Sequence, residues 1–284
     1  MTRAVGLCFG VFVLVAAGCR HVPVLTQLLE ARWLAADLQL QFTRAADASN
    51  RAVMAETDEA SGAAAREAEE VTRAIQRHMQ ALQPILRDLG YADEIRLLNE
   101  FDGRLADYRT LDRTILGLAV ENTNLKAQRL SFGPGREAAD AFVDSVEAIA
   151  RASKDAWRVQ AIVASAEANV REIQVLQAPH IAESDEAEMS RLETQMAVVE
   201  TAARRALDSL KGMVGPSPDL GAASAALHRF KTINAELVAL SRRNSDVRSL
   251  ALSLGHKRTL TAACDDSLRA LQAALQKHDF TATR

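Results

Sequence analysis

Two polar residues sit where apolar ones are due. From Tyr108, the positions Leu111, Ile115, Leu118, Asn122, Leu125, Arg129 and Phe132 follow the three-four spacing of one helix face. Asn122 and Arg129 therefore fall on a seam meant for burial. A buried amide finds partners or costs about 1–3 kcal/mol. Asn122 either locks the register of packed helices, as a polar seam residue does in coiled coils, or contacts a ligand between them. Arg129 offers a planar fork that can hold a carboxylate bidentately. Its other readings are an internal pair with Asp or Glu on a neighbouring helix, or a seam that has opened. Asn244 and Arg248 repeat Asn122 and Lys126 later in the chain, whereas Arg129 has Ala251 as its counterpart. Lys126 and Arg248 read as solvated cations beside the same place. The candidate ligand-binding set is Asn122, Lys126, Arg129, Asn244 and Arg248.

Other chemistries find no footing. Histidines at 21, 78, 180, 228, 256 and 278 form no pair three or four apart, and none has a glutamate three residues before it. The Glu-x-x-His of di-iron bundles is thus absent. There is no Gly-x-Ser-x-Gly elbow, phosphate loop or dinucleotide fingerprint. No enzyme, metal or cofactor is expected. A formal net charge of −3 is too mild to imply a nucleic-acid partner.

The elements that position these residues come in two copies. Residues 108–149 align without a gap on 230–271 at a constant offset of 122, with Asn122/Asn244, Ser131/Ser253, Gly133/Gly255, Arg136/Arg258 and Asp144/Asp266 identical. AETDEA at 55–60 lies over AESDEA at 182–187, and Trp33 roughly over Trp157. Such self-similarity decides architecture first. The rest of the chain reads as helix. Met189, Leu192, Met196, Val199, Ala203, Ala206, Leu210 and Met213 keep the same period, as do Ala156, Val159, Val163, Ala166, Val170 and Ile173. Narrow seams of this kind mean helices packed nearly parallel or antiparallel.

Breakers give the boundaries: helices near 23–59, 63–89, 92–131, 136–178, 186–213, 219–253 and 257–279, with Pro84 kinking the second, Pro179 stopping the fourth, and hairpins at Phe132-Gly133-Pro134-Gly135 and at Gly255. The expected fold is all-α: two stacked up-down four-helix bundles sharing the long fourth helix, the first copy in residues 19–150 and the second in 151–284. Trp33 and Trp157 are expected in core or bundle-end packing. Cys264, the counterpart of Phe142, is expected as a small buried filler.

The first residues set location. Arg3 precedes an apolar stretch from Ala4 to Ala17. It is too short to span a bilayer, which takes about 20 residues, but has the length of a signal-peptide hydrophobic region. Ala16-Ala17-Gly18-Cys19 resembles the bacterial lipobox, in which small residues admit the peptidase and the cysteine is lipid-modified. That resemblance implies a leader over 1–18, lipidation at Cys19 and a cell-envelope, periplasm-facing protein. Arg20, rather than Asp, after the cysteine favours the outer membrane. An uncleaved anchor is the other reading.

ENTNLKAQRLSFGPGREAADAF and RRNSDVRSLALSLGHKRTLTAAC resemble the periplasmic four-helix-bundle sensor domain of methyl-accepting chemotaxis receptors. There the third helix carries an aromatic, an asparagine and a Leu-Ser-x-Gly turn. Here these are Tyr108, Asn122 and Leu130-Ser131-Phe132-Gly133, then Phe230, Asn244 and Leu252-Ser253-Leu254-Gly255. The layout is also similar to helical bimodular sensors, which stack two bundles. The resemblance implies a sensory fold that binds small ligands between helices. No second spanning segment or methylated signalling hairpin is read in the sequence, so a protein partner or a homodimer is expected to carry any output. A non-sensing scaffold of the envelope is the competing reading.

Overall fold

The computed structural model describes residues 23–153 and 156–278. Cys19 and the leader lie outside them. The described chain is helical throughout, with no strand. Helix α1 runs Val24–Val53, α2 Asp58–Asp88, α3 Ala92–Glu121, α4 Thr123–Leu130, α5 Arg136–Ala152, α6 Ala156–Ala182, α7 Glu186–Val214, α8 Pro218–Arg243, α9 Ser245–Leu252 and α10 Arg258–Gln276. None of the described helices is long and apolar enough to cross a membrane.

Local chemistry explains most of the ends. The Thr57 hydroxyl caps α2 by accepting from the Ala60 amide, and the Asp185 carboxylate caps α7 through Ala187 and Glu188. Ser217 caps α8 with Pro218 in the first turn, where a missing N–H costs nothing. Pro84 and Pro179 both lie inside helices. Helix α6 does not stop at 178, because its last turn is held in place: His180 and Ile181 are buried against α8 and its neighbours.

The all-α bundle architecture is as the sequence implies, but its wiring is different. Ser153 adopts an extended conformation (φ −84°, ψ 140°) and ends α5, so no single helix spans 136–178. Two short segments replace the two expected hairpins: Ser131–Gly135, kinked at Gly133 (φ −99°, ψ −106°), and the π-helical Ser253–Lys257. Each joins its neighbours into one rod, 123–152 and 245–276. These rods belong to the opposite bundles. Phe142, Val146 and Ile149 of α5 pack with α6, α7 and α8, whereas Cys264, Leu268, Leu271 and Leu275 of α10 pack with α1, α2 and α3.

The two copies thus exchange their last helix, an intrachain form of domain swapping. The chain lies in two antiparallel arms, 92–152 and 218–276, which cross both bundles. Glu121 pairs with Arg243, Thr123 with Ser245, Arg104 with Ser267 and Glu137 with Arg229. The shared elements are these arms, and the division between cores does not fall at residue 150. Onto them lie two helical hairpins, α1/α2 and α6/α7.

The seam residues of α7 are buried from Met189 to Leu210, and Met213 is exposed at the end. Cys264 is buried in the first core as expected, and burial pushes its thiol up to about 12. Trp33 and Trp157 instead stand outside, 61% and 71% exposed.

Candidate functional site

Asn122 and Asn244 have left-handed backbone, φ 47° and 51°, and among the described residues no other non-glycine has positive φ. Asparagine is enriched in this region because its short polar side chain tolerates it. The asparagines are therefore where each arm breaks, a role that neither sequence reading named. The break also resets helical phase. On α3 the seam is buried at Tyr108, Ile115 and Leu118 and half-buried at Leu111; beyond Asn122 the buried residues are Thr123, Asn124 and Ala127, and Arg129 and Phe132 turn outward.

The junction is built from the repeat itself. Thr123 and Ser245 donate their backbone amides to each other's hydroxyls at 3.1 and 3.0 Å. The Asn124 side chain donates to Asn244 Oδ1 at 2.8 Å and to the Ile181 carbonyl at 2.6 Å, while its own Oδ1 accepts from the Asp246 amide. Arg243 grips Glu121 bidentately, 2.6 Å on each arm, and holds its carboxyl below the usual range. The reciprocal bonds make a pseudo-twofold contact between equivalent positions.

Three of the five sequence candidates converge on one carboxylate, Asp58, in the first turn of α2. Asn122 donates to it at 2.9 Å, and Lys126 Nζ and Arg129 lie 3.8 and 3.9 Å away. Lys126 also donates to the Glu121 carbonyl, and Arg129 to that of Glu56. The open-seam and internal-pair readings of Arg129 thus both describe it. Asn244 donates to the Glu183 carbonyl at 2.7 Å, and Arg248 acts on Glu121 through space. These two do not join the Asp58 cluster. Beside the junction, His180, wholly buried, bridges Ser241 Oγ at 2.8 Å and Glu193 Oε1 at 2.9 Å. Arg242 chelates Glu193 and holds its carboxyl below the usual range, favouring the ionised form.

A second polar centre went unread. In the core of the first bundle Asp112 accepts from Ser49 at 2.5 Å, and Lys257 Nζ stands 2.8 Å from the same carboxylate oxygen and also bonds Ser49. Lys257 is 2% exposed and Asp112 5%. Tyr108 lies below, its hydroxyl held well above the usual tyrosine range, and so un-ionised, by burial and then by Asp112. The second bundle places a neutral counterpart here: Ser131 donates to Gln177, and Gln177 to Asn234, at 2.7 and 2.8 Å. Asn234 is the repeat partner of Asp112, and Gly135 that of Lys257. The spacing Tyr108–Asp112–Ile115 carried the signal for Asp112. Nothing local marked Lys257, whose ammonium is buried only because the π segment and the exchange deliver it there.

Two grooves flank this centre. One, about 420 Å³, lies between α2 and α3 beside Asp112 and is lined by Arg73, Arg109 and Arg113. The other, about 540 Å³, lies between α1 and the α9–α10 rod, with Met54, Leu250 and Leu254 on its walls. Both fall in the range of small-molecule sites. Among the described residues, no group of three or more His, Cys, Asp or Glu is placed to hold a metal ion.

No family model matches the chain, and no curated protein matches it. Solved structures do. The crystal structure of the V. parahaemolyticus histidine kinase sensor TorS sensor domain aligns with a TM-score of 0.54 and 12% identity, over 88% of this chain and 97% of that one. A TorS sensor domain–TorT complex, solved in the presence of TMAO, aligns at 0.41 with 13% identity, over 87% and 100%. At such low identity what is shared is the fold: this chain has the fold of a helical sensor domain.

Proposed function

We propose that this protein is an extracytoplasmic sensory module. In this reading it binds a small ligand between helices, is anchored to the envelope by lipid at Cys19, and is related to chemoreceptor sensor domains. It performs no catalysis. The observation that carries the reading is the likeness in fold, over most of both chains, to a histidine-kinase sensor domain. The lipobox-like Ala16-Ala17-Gly18-Cys19 supports the anchor. Output then runs through a protein partner or a second copy, and the exposed Leu25, Leu29 and Trp33 on one face of α1 offer a surface for it.

The test is a thermal-shift screen of the full chain in detergent against amino acids, organic acids and polyamines. A ligand that binds only the folded state adds about 2.7 kcal/mol at a hundredfold excess over its Kd. A clear upward shift supports sensing. Flat curves across all classes sink it and leave the envelope scaffold, which the alanine-rich contacts of Ala48, Ala52, Ala64 and Ala68 would suit as close-packed rod.

A further inference from the structure

Resting on the sensory reading, we infer that the α2–α3 groove of the first bundle binds a small multivalent oxyanion, its carboxylate or phosphate groups held by Arg73, Arg109 and Arg113. The three guanidiniums line one groove of about 420 Å³. Arg109 and Arg113 are one turn apart on α3, and Arg73 faces them from α2. Among the described residues, none of the three makes a hydrogen bond or ion pair. Like charges gathered in one concavity repel each other, and here no protein carboxylate offsets them in contact. Asp112, at the edge of the groove, is already neutralised by Lys257, and Glu69 is the one other acidic residue of the lining.

The second bundle supplies the comparison. The repeat partner of Arg109 is Lys231, and Lys231 is paired to Glu200 of α7 at 2.7 Å. At the level where α7 offers Glu200, α2 offers Thr72 and Arg73. Arg113 has Ala235 as its partner. One copy therefore closes this position with an internal ion pair. The other keeps it open, adds cations and leaves them without partners. Planar guanidinium forks match carboxylate and phosphate geometry, which a single lysine does not. Thr72 and Gln76 add neutral polar atoms to the lining. A monovalent anion would engage one fork; three forks from two helices fit a ligand with two or more anionic groups.

The experiment is titration calorimetry on the full chain in detergent, at low and at high salt. Citrate and pyrophosphate serve as the two oxyanion probes, and sucrose and spermidine as neutral and cationic comparators. The expected result is one site per chain for citrate or pyrophosphate, and whichever binds tells carboxylate from phosphate. R109Q and R113Q each weaken it by about tenfold or more, E69Q tightens it, and salt weakens it. K231Q, in the second bundle, leaves it unchanged. Helix content and melting temperature of each variant show that the fold is intact, and E69Q reads a gain that misfolding cannot produce. Anion binding unaltered in the R109Q/R113Q double variant overturns the proposal. Binding of sucrose or spermidine but of neither oxyanion overturns it while the sensory reading stands. No binding by any probe here, together with flat curves in the wider screen, overturns both.

Discussion

Lys257 and Asp112 are the residues whose replacement separates structure from charge most cleanly. Each is buried and each is the other's counter-ion. Removing one partner leaves a charge stranded in the core and typically costs about 3–5 kcal/mol, whereas replacing a whole buried pair by apolar side chains of similar size is often neutral or stabilising. K257M alone and D112L alone should each lower the free energy of unfolding by roughly that amount, and the K257M/D112L double variant should recover most of it. Urea denaturation of the four proteins reads the coupling. Additive losses would mean that the ammonium and the carboxylate are solvated independently, and that the pair does not organise this core. Ser49, which bonds both groups, stays in all four proteins, so the comparison isolates the ion pair. The same logic explains why the second bundle needs no such device. Its equivalent centre, Ser131–Gln177–Asn234, is closed by neutral hydrogen bonds, and a neutral network loses less when one member is removed.

At the scale of elements, the two joining segments, Ser131–Gly135 with its kink at Gly133 and Ser253–Lys257, carry different demands. A Cβ on Gly135 would sit 2.7 Å from the Leu130 carbonyl oxygen, a backbone atom that cannot swing away, whereas one on Gly255 meets nothing within 4 Å. G135A should therefore destabilise by about 1–3 kcal/mol, as overpacking does. G255A should be neutral or raise stability by about 0.5–1 kcal/mol, since alanine loses less chain entropy than glycine in a helix. Thermal melts of the pair decide it, and equal effects would mean that the close approach at Gly135 relaxes freely. These segments also show how much of the fold was legible. The seam of α7 and the caps at Thr57, Asp185 and Ser217 could be read because they depend on residues a few positions apart. The Phe132–Gly135 stretch could not. Glycine and proline mark a local departure from helix, but whether the chain reverses there depends on what lies alongside, and the exchanged helix of the other copy removes any need to reverse. The junction was legible only in part. Asn122 and Asn244 stood out as polar residues on a seam, yet their meaning is a left-handed backbone, which spacing does not encode. Arg73, Arg109 and Arg113 escaped because arginines at exposed helix positions are ordinary until two helices set them across one groove.

For the molecule as a whole, the exchange makes the two bundles thermodynamically dependent on each other. Each core holds a helix that belongs in sequence to the other copy, so neither can lose its structure without emptying a quarter of its neighbour. The acid limb of stability tests this. Glu121 and Glu193 have ionisation values held below the ordinary 4.5, first by their hydrogen bonds to Arg243 and Arg242. A carboxylate depressed in the folded state contributes stability that is present above its unfolded value and lost as pH falls through its folded one. Asp246 runs the other way: burial, its largest influence, raises it above 3.8, so its protonation on the way down relieves a cost. Stability should thus change little from neutrality to about pH 5, then fall steeply below about pH 4.5 as the two arginine clamps release. Salt should weaken the exposed Glu121 clamp more than the part-buried Glu193 one. The E121Q/E193Q double variant should be weaker at neutral pH and show a flatter acid limb. Because the exchange persists after the clamps open, unfolding followed by far-ultraviolet circular dichroism and by fluorescence of Trp33 on α1 and Trp157 on α6 should remain one coincident transition even at low pH. Two separated transitions would show that each bundle stands alone and that the exchanged helices do not couple them. An acid limb unchanged in the double variant would place the acid-sensitive contacts elsewhere than the junction.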